Sequence, residues 1–258
     1  MEARDTCFFF LMVASTTHSP IETNMKLDKS IVDYTVYLVT NNEIIPEGLD
    51  IYTQVEQAIR NGVTIVQLRE KNLDTATFIK RAQKLHDITS LYNVPLIIND
   101  RVDVALAIDA EGVHVGQEDM EPAMVRKLVG PNKILGCTTH TEEEMMEAIT
   151  SEANVDYVGI GATYPTNTKK VKSELLGIDG ITRMLKVIAT HKPDLKNVII
   201  GGLNKSNIEK TLANCSYNGL NTNGVAIVSC IMGHKDAGLA TVETRAAIEA
   251  GFRSSSKS

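Results

Sequence analysis

The chain has 258 residues, 43% of them hydrophobic and 22% charged, which gives enough apolar material for one sizeable core in an ordinary globular protein. A formal net charge of −6 argues against a generic nucleic-acid surface and leaves room for one local basic pocket. The cysteines Cys7, Cys137, Cys215 and Cys230 form no C-x-x-C pair, which removes the usual zinc and redox spacings and fits free thiols in a reducing compartment, the cytoplasm.

Residues 7–14 (CFFFLMVA) are apolar, but a membrane span needs about twenty such residues. Glu2 and Asp5 spoil the basic region of a signal peptide, and the stretch lacks the arginines of a mitochondrial presequence. Residues 1–28 are therefore expected to be a poorly ordered extension, with Met25 a candidate start in the cell. From Tyr34 onward, short β-branched runs alternate with longer segments of helical period. The runs are 35–39 (TVYLV), 63–68 (VTIVQL), 94–98 (VPLII), 112–115 (GVHV), 133–136 (KILG), 156–161 (DYVGIG), 197–201 (NVIIG) and 224–229 (GVAIVS). Continuous apolar runs of this kind suit parallel strands buried on both faces. Helices are expected over 51–60, 75–91, 122–128, 142–149, 178–190, 206–212 and 237–250, with Glu121-Pro122 and Asn204/Ser206 as starts. Eight strand–helix repeats predict a (β/α)₈ TIM barrel over residues 29–252, followed by a frayed tail at 253–258. An open doubly wound sheet is disfavoured, because neither G-x-G-x-x-G nor G-x-x-x-x-G-K-[ST] occurs.

Active sites of such barrels lie at the carboxyl ends of the strands, so the polar residues that follow each run carry the functional reading. After the second run, alternation puts Gln67, Arg69 and Lys71 on one side, and two cations there suit a diphosphate. Asn99-Asp100 follows the third run and Asp119 lies shortly after the fourth. Either aspartate alone reads as a helix cap, but the pair on neighbouring strands reads as hard oxygen ligands for Mg²⁺. Thr138 ends the fifth run. Thr141 and Glu144 form a capping box, His140 is as readily structural as catalytic, and His114 reads as a core or mouth histidine. The loop 164–170 (YPTNTKK) offers hydroxyls and lysines. Gly201-Gly202 and Val228-Ser229 occupy the usual phosphate site after strands seven and eight, where backbone N–H groups do the binding.

Taken together, QLREK (67–71), IINDR (97–101), GVHVGQED (112–119), LGCTTHT (135–141), DYVGIG (156–161), YPTNTKK (164–170) and GGL (201–203) resemble the thiamine-phosphate synthase family, in family order, from about Tyr34 to Ala250. The resemblance implies a (β/α)₈ fold and a Mg²⁺-dependent transferase of thiamine biosynthesis. Such an enzyme couples 4-amino-2-methyl-5-(diphosphooxymethyl)pyrimidine to 4-methyl-5-(2-phosphoethyl)thiazole by dissociative displacement of diphosphate. By family pattern Gln67, Arg69, Lys71, Asn99 and Lys169 hold the pyrimidine diphosphate, with Arg69, Lys71 and Lys169 catalytic. Asp100 and Asp119 hold Mg²⁺, and Thr138 contacts the pyrimidine. Thr166, Asn167, Thr168, Gly202, Val228 and Ser229 serve the thiazole phosphate and its loop. Thr138 replaces the family's usual serine, and residues 220–223 lengthen one connection. The chain resembles the fungal-type form, which is usually fused to a C-terminal hydroxyethylthiazole kinase; no such domain follows here, so a monofunctional relative or a piece of a longer protein is expected. Two rivals are a thiazole tautomerase-like relative, which would depart from the diphosphate and metal motifs kept here, and a non-catalytic binder of thiamine precursors. Small-molecule substrates, no nucleic acid and no membrane are expected; oligomeric state stays open.

Overall fold

The computed structural model describes residues 28–168 and 174–255. The expected extension at 1–28 lies outside them apart from Asp28, whose carboxylate accepts from Ser30 N–H and caps a short 3₁₀ turn at Lys29–Ile31.

The chain then alternates strand and helix. In order come β1 (Val36–Val39), α1 (Ile51–Arg60), β2 (Ile65–Leu68), α2 (Thr75–Leu91), β3 (Leu96–Asn99), α3 (Val102–Ala107), β4 (Gly112–Val115), α4 (Pro122–Val129) and β5 (Ile134–Thr139). There follow α5 (Glu142–Thr150), β6 (Tyr157–Ile160), α6 (Gly177–His191), β7 (Lys196–Ile200), α7 (Ile208–Asn214), β8 (Ser216–Tyr217), β9 (Leu220–Asn221), β10 (Gly224–Ile227), α8 (Ser229–Met232) and α9 (Ala237–Ser255). Eight strands pair in parallel and close on themselves, with β10 joining β7 to β1. The architecture is the (β/α)₈ barrel that the run count predicts.

Local chemistry sets the helix ends. Asp50 accepts from Tyr52 and Thr53 N–H to start α1, and Asp74 accepts from Thr77 N–H to start α2. Pro122 opens α4 directly after Glu121, as its fixed φ and missing N–H favour. Two cores result from the alternation of side chains along each strand. Leu38, Val66, Leu68, Ile98, Val113 and their like face outward against the helices. Tyr37, Ile65, Ile97, Ile134, Tyr157 and Val198 fill the barrel interior. Phe78 of α2 is 1% exposed, and truncating such a side chain to Ala costs about 3–5 kcal/mol.

The structure differs from the sequence reading at several places, α8 and the β8–β9 pair among them. Helix α3, only six residues long, has no counterpart among the expected helices. Helix α7 begins at Ile208, two residues later than expected, because Asn204 Oδ1 accepts from Ser206 N–H and Asn207 Oδ1 from Asn204 N–H, tying residues 204–207 into a turn first. Helix α9 runs to Ser255, three residues into the expected frayed tail, and Ser255 Oγ hydrogen-bonds Asn221 Oδ1 at 2.7 Å; 256–258 lie outside the described residues. Cys137 is buried and Cys230 half-buried, and both are free thiols. Among the described residues no helix is long and apolar enough to cross a membrane.

Candidate active site

A cavity of about 430 Å³ opens at the carboxyl ends of the barrel strands, within the size range of small-molecule sites. The alternation read from β2 holds. Gln67, Arg69 and Lys71 line this cavity, whereas Leu68 points into the helix-facing core and Glu70 turns away to pair with Arg81 of α2 at 2.5 Å. Among the described residues the Arg69 guanidinium meets no carboxylate; its backbone N–H is held by Thr40 Oγ1 at 3.1 Å.

Lys71 pairs with Asp100 at the end of β3. Asp100 adopts φ of 63°, a left-handed conformation that Asp tolerates better than most side chains. That turn aims its carboxylate into the cavity instead of along the strand. Asp119 reaches the same spot from the loop after β4, where its Oδ2 accepts from Gly116 N–H at 2.8 Å. Burial and the facing Asp119 carboxylate push the Asp100 carboxyl above the usual carboxylate range, and Lys71 pulls the other way. The two carboxylates therefore converge beside one lysine and near Arg69. Asn99 is buried, and its Nδ2 has no hydrogen-bond partner among the described residues although it lines the cavity. An amide donor left in this condition suits a bound acceptor.

The opposite wall carries the backbone donors. Gly201 and Gly202 follow β7 with φ of 100° and 65°. A Cβ on Gly202 would lie 2.5 Å from Pro165 O and 2.8 Å from Tyr164 Cβ, so glycine is required for this close approach. Val228 and Ser229, after β10, lie on the same side, as do Thr166 and Thr168. Thr138 Oγ1 sits at the end of β5, bonded to His114 Nε2 at 2.8 Å. Asn167 is exposed on its loop and does not line the cavity. Lys169 lies outside the described residues.

The Thr141 cap holds, accepting from Glu144 N–H, but the Glu144 carboxylate reaches past it to His140. It takes the His140 N–H at 2.6 Å and faces Nδ1 at 3.0 Å. Two hydroxyl-bearing lining residues escape a sequence reading, Tyr37 and Tyr157. Both stand in apolar strand runs where the inward position is not marked. One signal existed: Gly136 in mid-strand, where a Cβ would run into the Tyr157 ring.

The family model described as TMP-TENI, thiamine monophosphate synthase, matches residues 36–231. The chain is 46% identical over 204 residues to a probable thiamine biosynthetic bifunctional enzyme of Schizosaccharomyces pombe, covering 79% of this chain and 39% of that protein. It thus spans about two fifths of that relative's length. It is 43% identical over 218 residues to the thiamine-phosphate synthase of Alkaliphilus oremlandii, covering 84% and 97% respectively. The solved thiamine phosphate pyrophosphorylase of Pyrococcus furiosus superposes with a TM-score of 0.72 at 31% identity, covering 86% of this chain and 98% of that one. On the family match and the coverage of 97% of a relative 43% identical to it, the chain belongs to the thiamine monophosphate synthase family.

Proposed function

We propose that the chain is a thiamine-phosphate synthase whose catalytic unit is the barrel at 29–252. It would join 4-amino-2-methyl-5-(diphosphooxymethyl)pyrimidine to 4-methyl-5-(2-phosphoethyl)thiazole, releasing thiamine phosphate and diphosphate. The observation that carries this reading is the convergence of Lys71, Asp100, Asp119 and Arg69 on one wall of a cavity whose other wall offers the Gly202 and Val228-Ser229 backbone. Two anionic groups can sit in one cavity only if each has its own donors, and the two walls supply them separately.

The donor set fits Mg²⁺. No group of three or more His, Cys, Asp or Glu stands together among the described residues, and Mg²⁺ is commonly held by one or two carboxylates with phosphate oxygens and water completing its shell. Asp100 and Asp119 would hold it, and bound there it would neutralise charge on the diphosphate. Arg69 and Lys71 would receive the same oxygens, with Lys169 as a third cation. Gln67, Asn99 and Thr138 would orient the pyrimidine, while Thr166, Thr168 and the glycine loop would hold the thiazole phosphate. The bond from the pyrimidine methylene to diphosphate oxygen breaks, the electron pair leaves with diphosphate, and the thiazole nitrogen forms the new bond to the methylene. This chemistry asks for charge stabilisation and alignment more than for a nucleophile or a base, which agrees with a site rich in cations and amides. Free thiols at Cys137, Cys215 and Cys230 support a reducing compartment, the cytoplasm.

Mixing both substrates with the full chain, with and without Mg²⁺, tests the reading. Thiamine phosphate formed only with Mg²⁺ supports it. Binding of substrates without product would point to a non-catalytic binder, and turnover of the thiazole partner alone would point to a tautomerase-like relative.

A further inference from the structure

Beneath the cation-lined wall, the barrel interior holds three polar side chains, Tyr37, Tyr157 and His114, that the proposed chemistry does not use. All three are buried. They form one hydrogen-bonded chain across the barrel, from β2 through β1 and β6 to β4 and β5. Gln67 Nε2 donates to Tyr37 Oη at 2.8 Å, and Tyr37 Oη and Tyr157 Oη lie 2.6 Å apart. Tyr157 Oη meets His114 Nδ1 at 2.8 Å, and His114 Nε2 meets Thr138 Oγ1 at 2.8 Å. The rings are packed together, with the Tyr157 centroid 5.1 Å from Tyr34, 5.7 Å from Tyr37 and 5.4 Å from His114.

The protons in such a chain cannot be assigned independently. A phenol has one proton and a neutral imidazole has one. With Gln67 donating to it, Tyr37 keeps its own buried proton partnered by sending it to Tyr157. Tyr157 then donates to His114 Nδ1. An Nδ1 that accepts puts the imidazole proton on Nε2, which donates to Thr138 Oγ1. The Thr138 hydroxyl, already accepting from His114, keeps its own proton for the cavity. Burial raises both phenols far above the ordinary tyrosine range, so they remain O–H donors throughout the working pH range. In the reversed chain Tyr37 would accept from both Gln67 and Tyr157 and leave its own buried proton without a partner in the chain, and Thr138 would then offer the cavity only a lone pair.

We propose that Tyr37, Tyr157 and His114 are positioning residues that hold His114 as the Nε2–H tautomer and thereby fix the Thr138 hydroxyl as a hydrogen-bond donor toward the substrate ring. The site would then select a ring that presents an acceptor, such as an unprotonated ring nitrogen, at that point. The choice of ring rests on the proposed reaction; the tautomer does not.

Nitrogen NMR of the full chain labelled with ¹⁵N-histidine tests the tautomer without substrate, the signal lost in His114→Gln giving the assignment. The expected spectrum has Nε2 protonated and Nδ1 bare, with Tyr157→Phe moving the proton at least partly to Nδ1. A wild-type His114 protonated at Nδ1, or at both nitrogens, overturns the proposal. Turnover supplies a second test. The Gln amide nitrogen stands near the place of imidazole Nε2, and the Asn amide nitrogen near that of Nδ1. With both variants folded by thermal unfolding, His114→Gln should keep kcat/KM for the pyrimidine diphosphate within about tenfold and His114→Asn should lose about 100-fold, the scale at which partners behind a ligating side chain act. The KM for the thiazole phosphate should not move in either. Equal losses in the two variants overturn the proposal. A wild-type chain that makes no thiamine phosphate fails the proposed reaction instead, and the nitrogen spectra still decide the tautomer.

Discussion

Asp100→Asn separates stability from activity at the proposed metal site. The aspartate side chain is 16% exposed, and burial together with the Asp119 carboxylate raises its proton affinity while Lys71 opposes. A carboxyl whose folded pKa lies above its unfolded value stabilises the fold while protonated, and that contribution is lost as pH rises through the folded pKa. At neutral pH the ionised Asp100 therefore works against the fold, and Asn removes the charge while keeping the shape. Lys71, 44% exposed, regains water at little cost once its partner is gone. The φ of 63° suits Asn as well as Asp, so the backbone adds no strain. A gain of about 1 kcal/mol is typical of stabilising substitutions, and in a domain of this size it raises Tm by about 2–4 °C. Mg²⁺ should act unequally on the two proteins. A ligand at one hundred times its Kd stabilises the wild type by about 2.7 kcal/mol, and a variant without the Asp100 charge should lose most of that response. Thiamine phosphate formation should fall by roughly 100-fold or more. Thermal unfolding with and without Mg²⁺, beside the product assay, reads all three quantities. A variant with lower Tm and an unchanged Mg²⁺ response would refute the placement of the carboxylate pair.

Arg69→Ala should cut kcat by about 10²–10³, as loss of one preorganised charge-stabilising donor does, with Tm nearly unchanged because the guanidinium meets no carboxylate among the described residues; steady-state kinetics near wild type would remove Arg69 from the site. Gly202→Ala forces a Cβ to within 2.5 Å of Pro165 O at φ of 65°, so it should cost about 1–3 kcal/mol and raise KM for the thiazole phosphate, read by urea unfolding and substrate titration. His86 is held above the ordinary histidine range by the Glu111 side chain 3.0 Å away, against its own burial. Its stabilising contribution is therefore full below about pH 6.5 and lost as pH rises through the raised folded value. Unfolding midpoints on either side of that window should fall with rising pH in the wild type relative to His86→Gln; parallel curves would show that the pair is not coupled to folding.

Most of the barrel was legible because a parallel strand covered on both faces must be apolar throughout, and the runs at 35–39, 63–68 and 224–229 stand out against polar connections. The same property hid the finer structure. Asn218-Gly219 is a strong two-residue hairpin signal, and both residues do adopt positive φ. The paired strands β8 and β9 are only two residues each, too short to leave a period of their own. Helix α3 escaped for the same reason: six residues between β3 and β4 span fewer than two helical turns.

The site divides along the same line. Gln67, Arg69 and Lys71 alternate with Leu68 and Glu70, so a period of two marks which of them share a face, and β2 bears it out. Asp100 and Asp119 were recognisable as a pair only because each follows a strand end, where a barrel gathers its loops. The left-handed turn that brings Asp100 to Lys71 has no sequence mark, since Asp is also an ordinary helix cap. Tyr37 and Tyr157 lay deeper in shadow. Inside YVGI and VYLV, inward and outward positions are equally apolar, and pairing register is what brings the two phenols within 2.6 Å. Register leaves its trace on the opposing residue. Gly136 pairs with Tyr157 across β5 and β6, and no larger side chain fits where the ring lies. A glycine in mid-strand opposite a tyrosine is therefore the mark to look for, because it records a ring turned inward where the strand itself shows only an apolar run.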